Sequence, residues 1–237
     1  MSNVYYKNFW KYSQFVKTFT GEDYLDLIEE VNKICVPLKD DGIDRRAVVM
    51  FGFSGNGKST WIRNFCKENP DYEILSMDRV VRKRERELGR RIEGMEITGA
   101  FSRTFDQVVS TGKNVIVDGN FLNLLTRMSL VDSFHECGYK VSLIDITPIF
   151  DVTIERRIMD EASRVMGVTI TPENICLFSD NPTYKAVENH VMSFHKDERE
   201  RASYDEQIVA GGIGVNVEGV IVVDNNSKGD NIGGKKM

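Results

Sequence analysis

The sequence predicts a three-layer α/β sandwich: a five-stranded, mainly parallel sheet with helices on both faces. Three observations predict it. Short, continuous apolar runs recur along the chain. Amphipathic stretches with apolar residues at 3- and 4-residue intervals separate them. A glycine-rich loop, Gly52 to Thr60, ends the first run and opens a helix. Apolar runs without alternation suit strands buried on both faces, and helical crossovers between parallel strands supply the cover. Each crossover should be right-handed.

Residues 1–44 read as an N-terminal helical and aromatic extension. Tyr5, Tyr6, Phe9, Trp10, Tyr12 and Phe15 could stack on bases, or could pack the arm onto the domain, which is the plainer reading. Glu22 to Val36 has helical spacing, closed by Pro37 and Asp40-Asp41-Gly42. Residues 45–226 form the main domain. Its strands are read at Ala47–Phe51, Glu73–Ser76, Asn114–Val117, Lys140–Ile146 and Gly219–Val223. Its helices are read at Ser59–Glu68, Arg79–Leu88, Gly99–Ser110, Asn123–Glu136, Asp151–Glu161 and Pro182–Ile208. Thr171-Pro172-Glu173 resembles a helix start with proline at the first position. Residues 155–181 carry the features of an arginine-bearing lid. Residues 227–237 read as a flexible tail.

Composition narrows the function. Apolar residues make up 41% and charged residues 28%, which excludes an intrinsically disordered chain. The 31 Lys and Arg against 36 Asp and Glu leave a net charge of -5. That excludes a uniformly basic nucleic-acid coat but not a local basic patch. No apolar run is long enough for a transmembrane helix, so no membrane partner is expected. The N-terminus, MSNVYYKNFWKYSQF, lacks a secretory pattern. Cys35, Cys66, Cys137 and Cys176 are widely spaced without a C-x-x-C pair. They read as reduced thiols of a cytoplasmic protein, with no zinc site. His135, His190 and His195 do not stand at ligand spacing and read as structural or surface residues.

Gly52-Phe53-Ser54-Gly55-Asn56-Gly57-Lys58-Ser59-Thr60 matches the phosphate-loop pattern G-x-x-x-x-G-K-S/T. Gly52, Gly55 and Gly57 admit backbone conformations closed to other residues and let the chain approach phosphate. Successive N–H groups, those of Ser54, Asn56 and Thr60 among them, would form an anion nest at the start of a helix. Lys58 should reach the β- and γ-phosphates, and the Ser59 hydroxyl should ligate Mg²⁺.

Asp78 follows the second strand, at the carboxyl edge where open α/β sheets bind ligands. It could accept the proton of an acceptor hydroxyl, or cap the helix that starts at Arg79. Asp118 ends the third strand. It could hold Mg²⁺ through water, meet substrate, or cap the turn through Gly119 and Asn120. Phosphoryl transfer needs extra cations around the γ-oxygens. Arg127, Arg156, Arg157 and Arg164 are the candidates, and a helix–Arg–loop–Arg arrangement suits a lid that closes and excludes water. Each could equally be an ordinary surface arginine. N-K-x-D and a switch-position D-x-x-G, the marks of a GTPase, are not seen.

With these residues in place, residues 46–180 resemble the P-loop kinases of the polynucleotide kinase type, which share a skeleton with zeta-toxin-type and small nucleoside kinases. The matching pieces are GFSGNGKSTW, the Ser76-Met77-Asp78-Arg79 step, VIVDGN, and the arginine-rich segment after the fourth strand. The resemblance implies ATP as phosphate donor and a 5′-hydroxyl of DNA or RNA as acceptor. It implies Lys58 and Asp78 with Arg157 and Arg164 in catalysis, and Arg156 with the loop on ATP. Asp118, Asn120, Arg127 and Arg79 or Arg82 would meet the acceptor. The spacing from Asp118 to Arg127 is nine positions, longer than the family's seven or eight. No D-x-D-x-T phosphatase motif accompanies it.

Arg79 to Arg91 reads RVVRKRERELGRR. Its large local positive excess begins beside the proposed base and suits a phosphate-bearing acceptor, or a solvated helix with Glu–Arg pairs. The expected function is Mg-ATP-dependent transfer to a hydroxyl, preferably a polynucleotide 5′-hydroxyl. The alternatives are a kinase of nucleosides or nucleotide-sugars, a kinase of hydroxymethylated bases in DNA, and a nucleotide-binding switch with slow hydrolysis.

Overall fold

Five strands form a single sheet: β1 (Arg45–Phe51), β2 (Tyr72–Ser76), β3 (Asn114–Asp118), β4 (Tyr139–Thr147) and β5 (Gly219–Asp224). The spatial order is β2-β3-β1-β4-β5 and every pairing is parallel. The computed structural model describes residues 3–18, 30–31, 33–52, 57–121, 124–147, 150–193 and 219–224. The expected helix over Glu22–Val36 falls largely outside them, as do residues 194–208 and the tail 227–237.

The helices are α1 (Val4–Thr18), α2 (Lys58–Glu68), α3 (Met77–Leu88), α4 (Met95–Val109), α5 (Leu124–Glu136) and α6 (Phe150–Met166), followed by α7 over residues 182–193. Alternation along each strand divides the core between the two faces. Val49, Phe51, Val115, Val117 and Val141 pack with Phe101 and Phe105 of α4 and with Leu130 and Phe134 of α5. Val48, Met50, Ile116 and Ile144 pack on the other face with Trp61, Ile62 and Phe65 of α2. A fully parallel sheet covered on both faces explains why its strands read as continuous apolar runs.

The aromatic prelude packs. Tyr5 and Tyr12 are buried, and the Tyr5 ring meets Phe101 edge-on with centroids 4.9 Å apart. That takes these two rings out of any base-stacking platform. Beneath α1 runs a polar seam centred on the fully buried Asp132. Its Oδ2 accepts from Lys11 Nζ at 2.6 Å and from the Tyr12 hydroxyl at 2.8 Å, and its Oδ1 from the Val36 N–H at 3.0 Å. A buried carboxylate is tolerated when it is paired and hydrogen-bonded in this way. His135 joins the seam, its Nδ1 lying 3.0 Å from the Val36 carbonyl oxygen.

The segment read as a lid departs from the expected boundaries. The helix read at Asp151–Glu161 runs on to Met166, and Gly167 ends it with φ 68°. Pro172 does not begin a helix. Asn174 accepts from the Thr171 N–H and donates to the Thr169 carbonyl, which ties the segment into a turn before a single 3₁₀ turn at Ile175–Leu177. This region has an apolar cluster of its own, in which Ile154, Ile158 and Ala162 of α6 meet Ile170 and Tyr184, Val187 and Val191 of α7.

Candidate functional site

The carboxyl end of β3, the first turns of α2 and α3, one face of α6 and the stretch Ile170–Pro172 surround a cavity of about 610 Å³. Two glycines flank the loop between β1 and α2. Gly52 (φ 126°) follows β1, and Gly57 (φ 87°) is the cap of α2. Both lie in the left-handed half of backbone space that side chains disfavour. The Gly57 carbonyl accepts the N–H groups of Thr60 and Trp61 at 3.0 and 2.9 Å, so the helix starts at once after the loop. Phe53, Ser54, Gly55 and Asn56, three of them expected in the phosphate nest, lie outside the described residues.

Lys58 is buried, and its ammonium group donates to the Gly52 carbonyl at 2.7 Å and to Asn120 Oδ1 at 3.3 Å. The Asn120 carbonyl in turn accepts the Gly52 N–H at 3.1 Å. Asn120 therefore touches both ends of the loop. Ser59 Oγ donates to Asp118 Oδ2 at 3.2 Å. Ser76, paired in register with Asp118 across β2 and β3, brings its hydroxyl to 3.5 Å from the same oxygen.

Asp78 lines the cavity from the first turn of α3 and is exposed. The capping alternative is corrected here, because the N-cap of α3 is Ser76 and Asp78 lies inside the helix. Its carboxylate there complements the helix dipole. Arg156 also lines the cavity, from α6. So Gly57, Lys58, Ser59, Thr60, Asp78, Asp118, Asn120 and Arg156 converge, as expected from their places at one sheet edge.

Other expected site residues do not line the cavity. Arg79 and Arg82 are exposed on α3. Arg157 is half-buried on α6, and Arg164 lies on the last turn of α6, ion-paired with Glu161. Arg127 is placed furthest from expectation. It is 2% exposed, with Nη1 donating to the Phe121 carbonyl at 2.9 Å and its guanidinium 4.6 Å from the centroid of the Phe51 ring. An arginine held by a carbonyl and a ring beneath the surface is not presented to an acceptor.

The sequence reading missed several lining residues: Met159, Asp160, Ile170, Thr171 and Pro172. One signal was available. Asp160 stands four residues after Arg156 on α6, and that interval places both on one helix face.

The donor set fits a magnesium ion. Ser59 and Asp118 offer hard oxygen atoms side by side, and among the described residues no group of three His, Cys, Asp or Glu forms a dedicated metal cage. Mg²⁺ is ordinarily held by one or two protein oxygens together with phosphate and water.

The family described as "AAA domain" matches residues 48–159, which span the loop, Asp78, Asp118 and Arg156, in agreement with the P-loop resemblance. No curated protein matches the chain. Among solved structures, one similar chain comes from a study of the PezAT chromosomal toxin-antitoxin system of Streptococcus pneumoniae. It is 15% identical with TM-score 0.46, covering 87% of this chain and 79% of the other. A gluconokinase from Sinorhizobium meliloti 1021 is 15% identical with TM-score 0.43, covering 76% and 82%. A chain of the Pnkp1/Rnl/Hen1 complex is 18% identical with TM-score 0.42, covering 50% and 42%.

Proposed function

We propose that the chain is a Mg-ATP-dependent kinase that transfers the γ-phosphoryl group to a hydroxyl, with a polynucleotide 5′-hydroxyl as the preferred acceptor. One observation carries the reading. A phosphate-loop lysine, a Ser–Asp oxygen pair and a second, exposed carboxylate share one cavity of about 610 Å³. A volume of that order accommodates a nucleotide and the reacting end of an acceptor.

The residues divide the work. Lys58, with the loop backbone, binds the β- and γ-phosphates and offsets charge that grows in the transition state. Ser59 and Asp118 hold the metal position, Ser59 by its hydroxyl and Asp118 directly or through water. Magnesium bound there supplies charge neutralisation of the phosphates. Asp78 orients the acceptor hydroxyl and takes its proton. Arg156 adds a cation from α6. Arg157 and Arg164 belong to the segment whose closure would bring further charge and exclude water.

The basic face favours the polynucleotide acceptor. Arg79, Arg82, Lys83, Arg84 and Arg86 follow Asp78 along α3. A second concavity of about 190 Å³ between α3 and α4 is bordered by Lys83, Arg84 and Arg103. Some of this charge is partnered, Arg84 with Glu87 at 3.0 Å and Arg90 with Glu96 at 2.6 Å. The Arg90 hydrogen bond holds the Glu96 carboxyl below its usual range. Among the described residues no helix is long and apolar enough to cross a membrane.

The test is transfer of labelled γ-phosphate from Mg-ATP to three acceptors: a 5′-hydroxyl oligonucleotide, the same strand already 5′-phosphorylated, and a nucleoside mixture. Label on the first alone supports the polynucleotide reading. Equal label on both strands moves the acceptor to a base or an internal hydroxyl. Label on nucleosides alone makes it a small-molecule kinase. ATP binding without transfer to any acceptor overturns the nucleic-acid assignment and favours a nucleotide-dependent switch.

A further inference from the structure

We infer that Arg127 is a positioning residue that sets the angle of the Asp118 carboxylate by anchoring the turn at Phe121. The inference rests on the phosphotransfer reading of the cavity and adds to it a buried support that touches neither nucleotide nor acceptor.

The turn Asp118-Gly119-Asn120-Phe121 is held in an uncommon shape. Phe121 has φ 36°, the only positive value at a non-glycine residue among the described residues. A bulky side chain in that region persists where its surroundings over-determine it, and such positions cluster at functional sites. Three contacts do so here. Arg127 Nη1 donates to the Phe121 carbonyl at 2.9 Å. The Phe121 ring lies flush against Gly119, where a Cβ would come within 2.3 Å of it. The same ring stands 6.1 Å from the Phe101 ring of the core.

Arg127 also reaches the other side of the site. Its guanidinium lies over Phe51, the last residue of β1, directly before the glycine that opens the phosphate loop. One buried cation thus binds the turn after β3 to the end of β1. Burying that charge is costly, and an apolar residue would fill the space without the penalty. What the guanidinium adds is direction: a planar group can stack on a ring and donate in its own plane, which an ammonium cannot.

Asp118 is the residue most sensitive to this support. The Lys58 ammonium has the Gly52 carbonyl as a second seat at 2.7 Å, whereas the Asp118 carboxylate is met at 3.2 and 3.5 Å by two hydroxyls that can rotate. A shift of the turn should therefore disturb metal-linked binding before phosphate binding. Supports of this kind change metal affinity by about 10- to 100-fold.

The test is calorimetric titration of ATP into the full chain, once with Mg²⁺ and once with EDTA, for wild type, Arg127→Lys, Arg127→Met and Gly119→Ala, each with a thermal melt. Arg127→Lys is expected to melt cooperatively, to bind metal-free ATP within about twofold of wild type, and to lose about tenfold in Mg-ATP affinity. Gly119→Ala, whose Cβ would meet the Phe121 ring directly, should show the same metal-specific loss. If Arg127→Met does not fold, these two variants still decide. Equal loss with and without Mg²⁺, or unchanged affinity in both variants, overturns the positioning role. A wild-type chain that binds ATP in neither condition overturns the phosphotransfer reading instead.

Discussion

Asp118 Oδ2 accepts a hydrogen bond from Ser59 Oγ at 3.2 Å, joining the end of β3 to the first turn of α2. The contact exists because β1 and β3 are adjacent and parallel, so their carboxyl ends open on the same edge. It brings a hydroxyl and a carboxylate together without a histidine or cysteine, a pairing suited to a hard cation that also binds phosphate.

Asp118→Asn keeps the shape of the side chain and removes its charge. Turnover should fall by about 100-fold or more, the scale seen when one charge-stabilising group is lost from a transition state. The Mg²⁺ concentration for half-maximal rate should rise. Rates across a Mg²⁺ series check this, and an unchanged midpoint would remove Asp118 from the metal position.

Asp78→Asn should separate binding from transfer. A general base contributes about 10²- to 10⁴-fold, so transfer should drop by that order while ATP affinity stays within about twofold. Single-turnover transfer and equilibrium ATP binding on the same preparation provide the two readouts. Normal transfer by the variant would place the base elsewhere.

The basic face of α3 makes a prediction about salt. Binding of a single-stranded acceptor should weaken linearly on a log–log plot, with a slope of about 0.7 for each phosphate neutralised. Replacing Arg79 and Arg82 together by Gln should flatten that slope and leave ATP affinity unchanged. A steep slope that the double variant retains would put the acceptor on another surface.

Tyr12 predicts alkaline sensitivity. Burial pushes its phenol well above the ordinary value of 10, and the neighbouring Asp132 and Cys35 push it further. A group whose folded pKa is raised contributes stability that is fully present below its unfolded value and lost above it. Stability should therefore hold up to about pH 10 and decline beyond. Tyr12→Phe should be about 1–3 kcal/mol less stable at pH 7, since a hydrogen bond to a buried carboxylate is lost. Its decline above pH 10 should be shallower. Denaturant melts at pH 7, 9, 10 and 11 check both, and parallel curves for the two proteins would contradict the assignment.

The strands were legible to within a residue or two because a parallel sheet buried on both faces leaves an unbroken apolar run in the chain. The loop was legible because phosphate binding demands glycines, a lysine and a hydroxyl at fixed intervals. Within the extension read as helical and aromatic, the helix Val4–Thr18 itself was not placed, because its aromatic residues pack inward while polar ones such as Asn8 and Lys11 seek partners on α5, 120 residues or more away. The continuation of α6 to Met166 was hidden for a related reason. It rests on an apolar cluster shared with α7 rather than on local propensity.

What is bound to local spacing was thus determined by the sequence alone: the sheet's layers, the phosphate-loop pattern, Asp78 just after β2 and Asp118 at the end of β3. The tertiary structure decided where three of the candidate arginines sit. Arg127, Arg156 and Arg164 are alike as letters, yet one is buried against Phe51 and Phe121, one lines the cavity and one is paired at the surface. A guanidinium's role depends on what its long side chain reaches, and that is set by elements distant in the chain, which residue type and spacing do not encode.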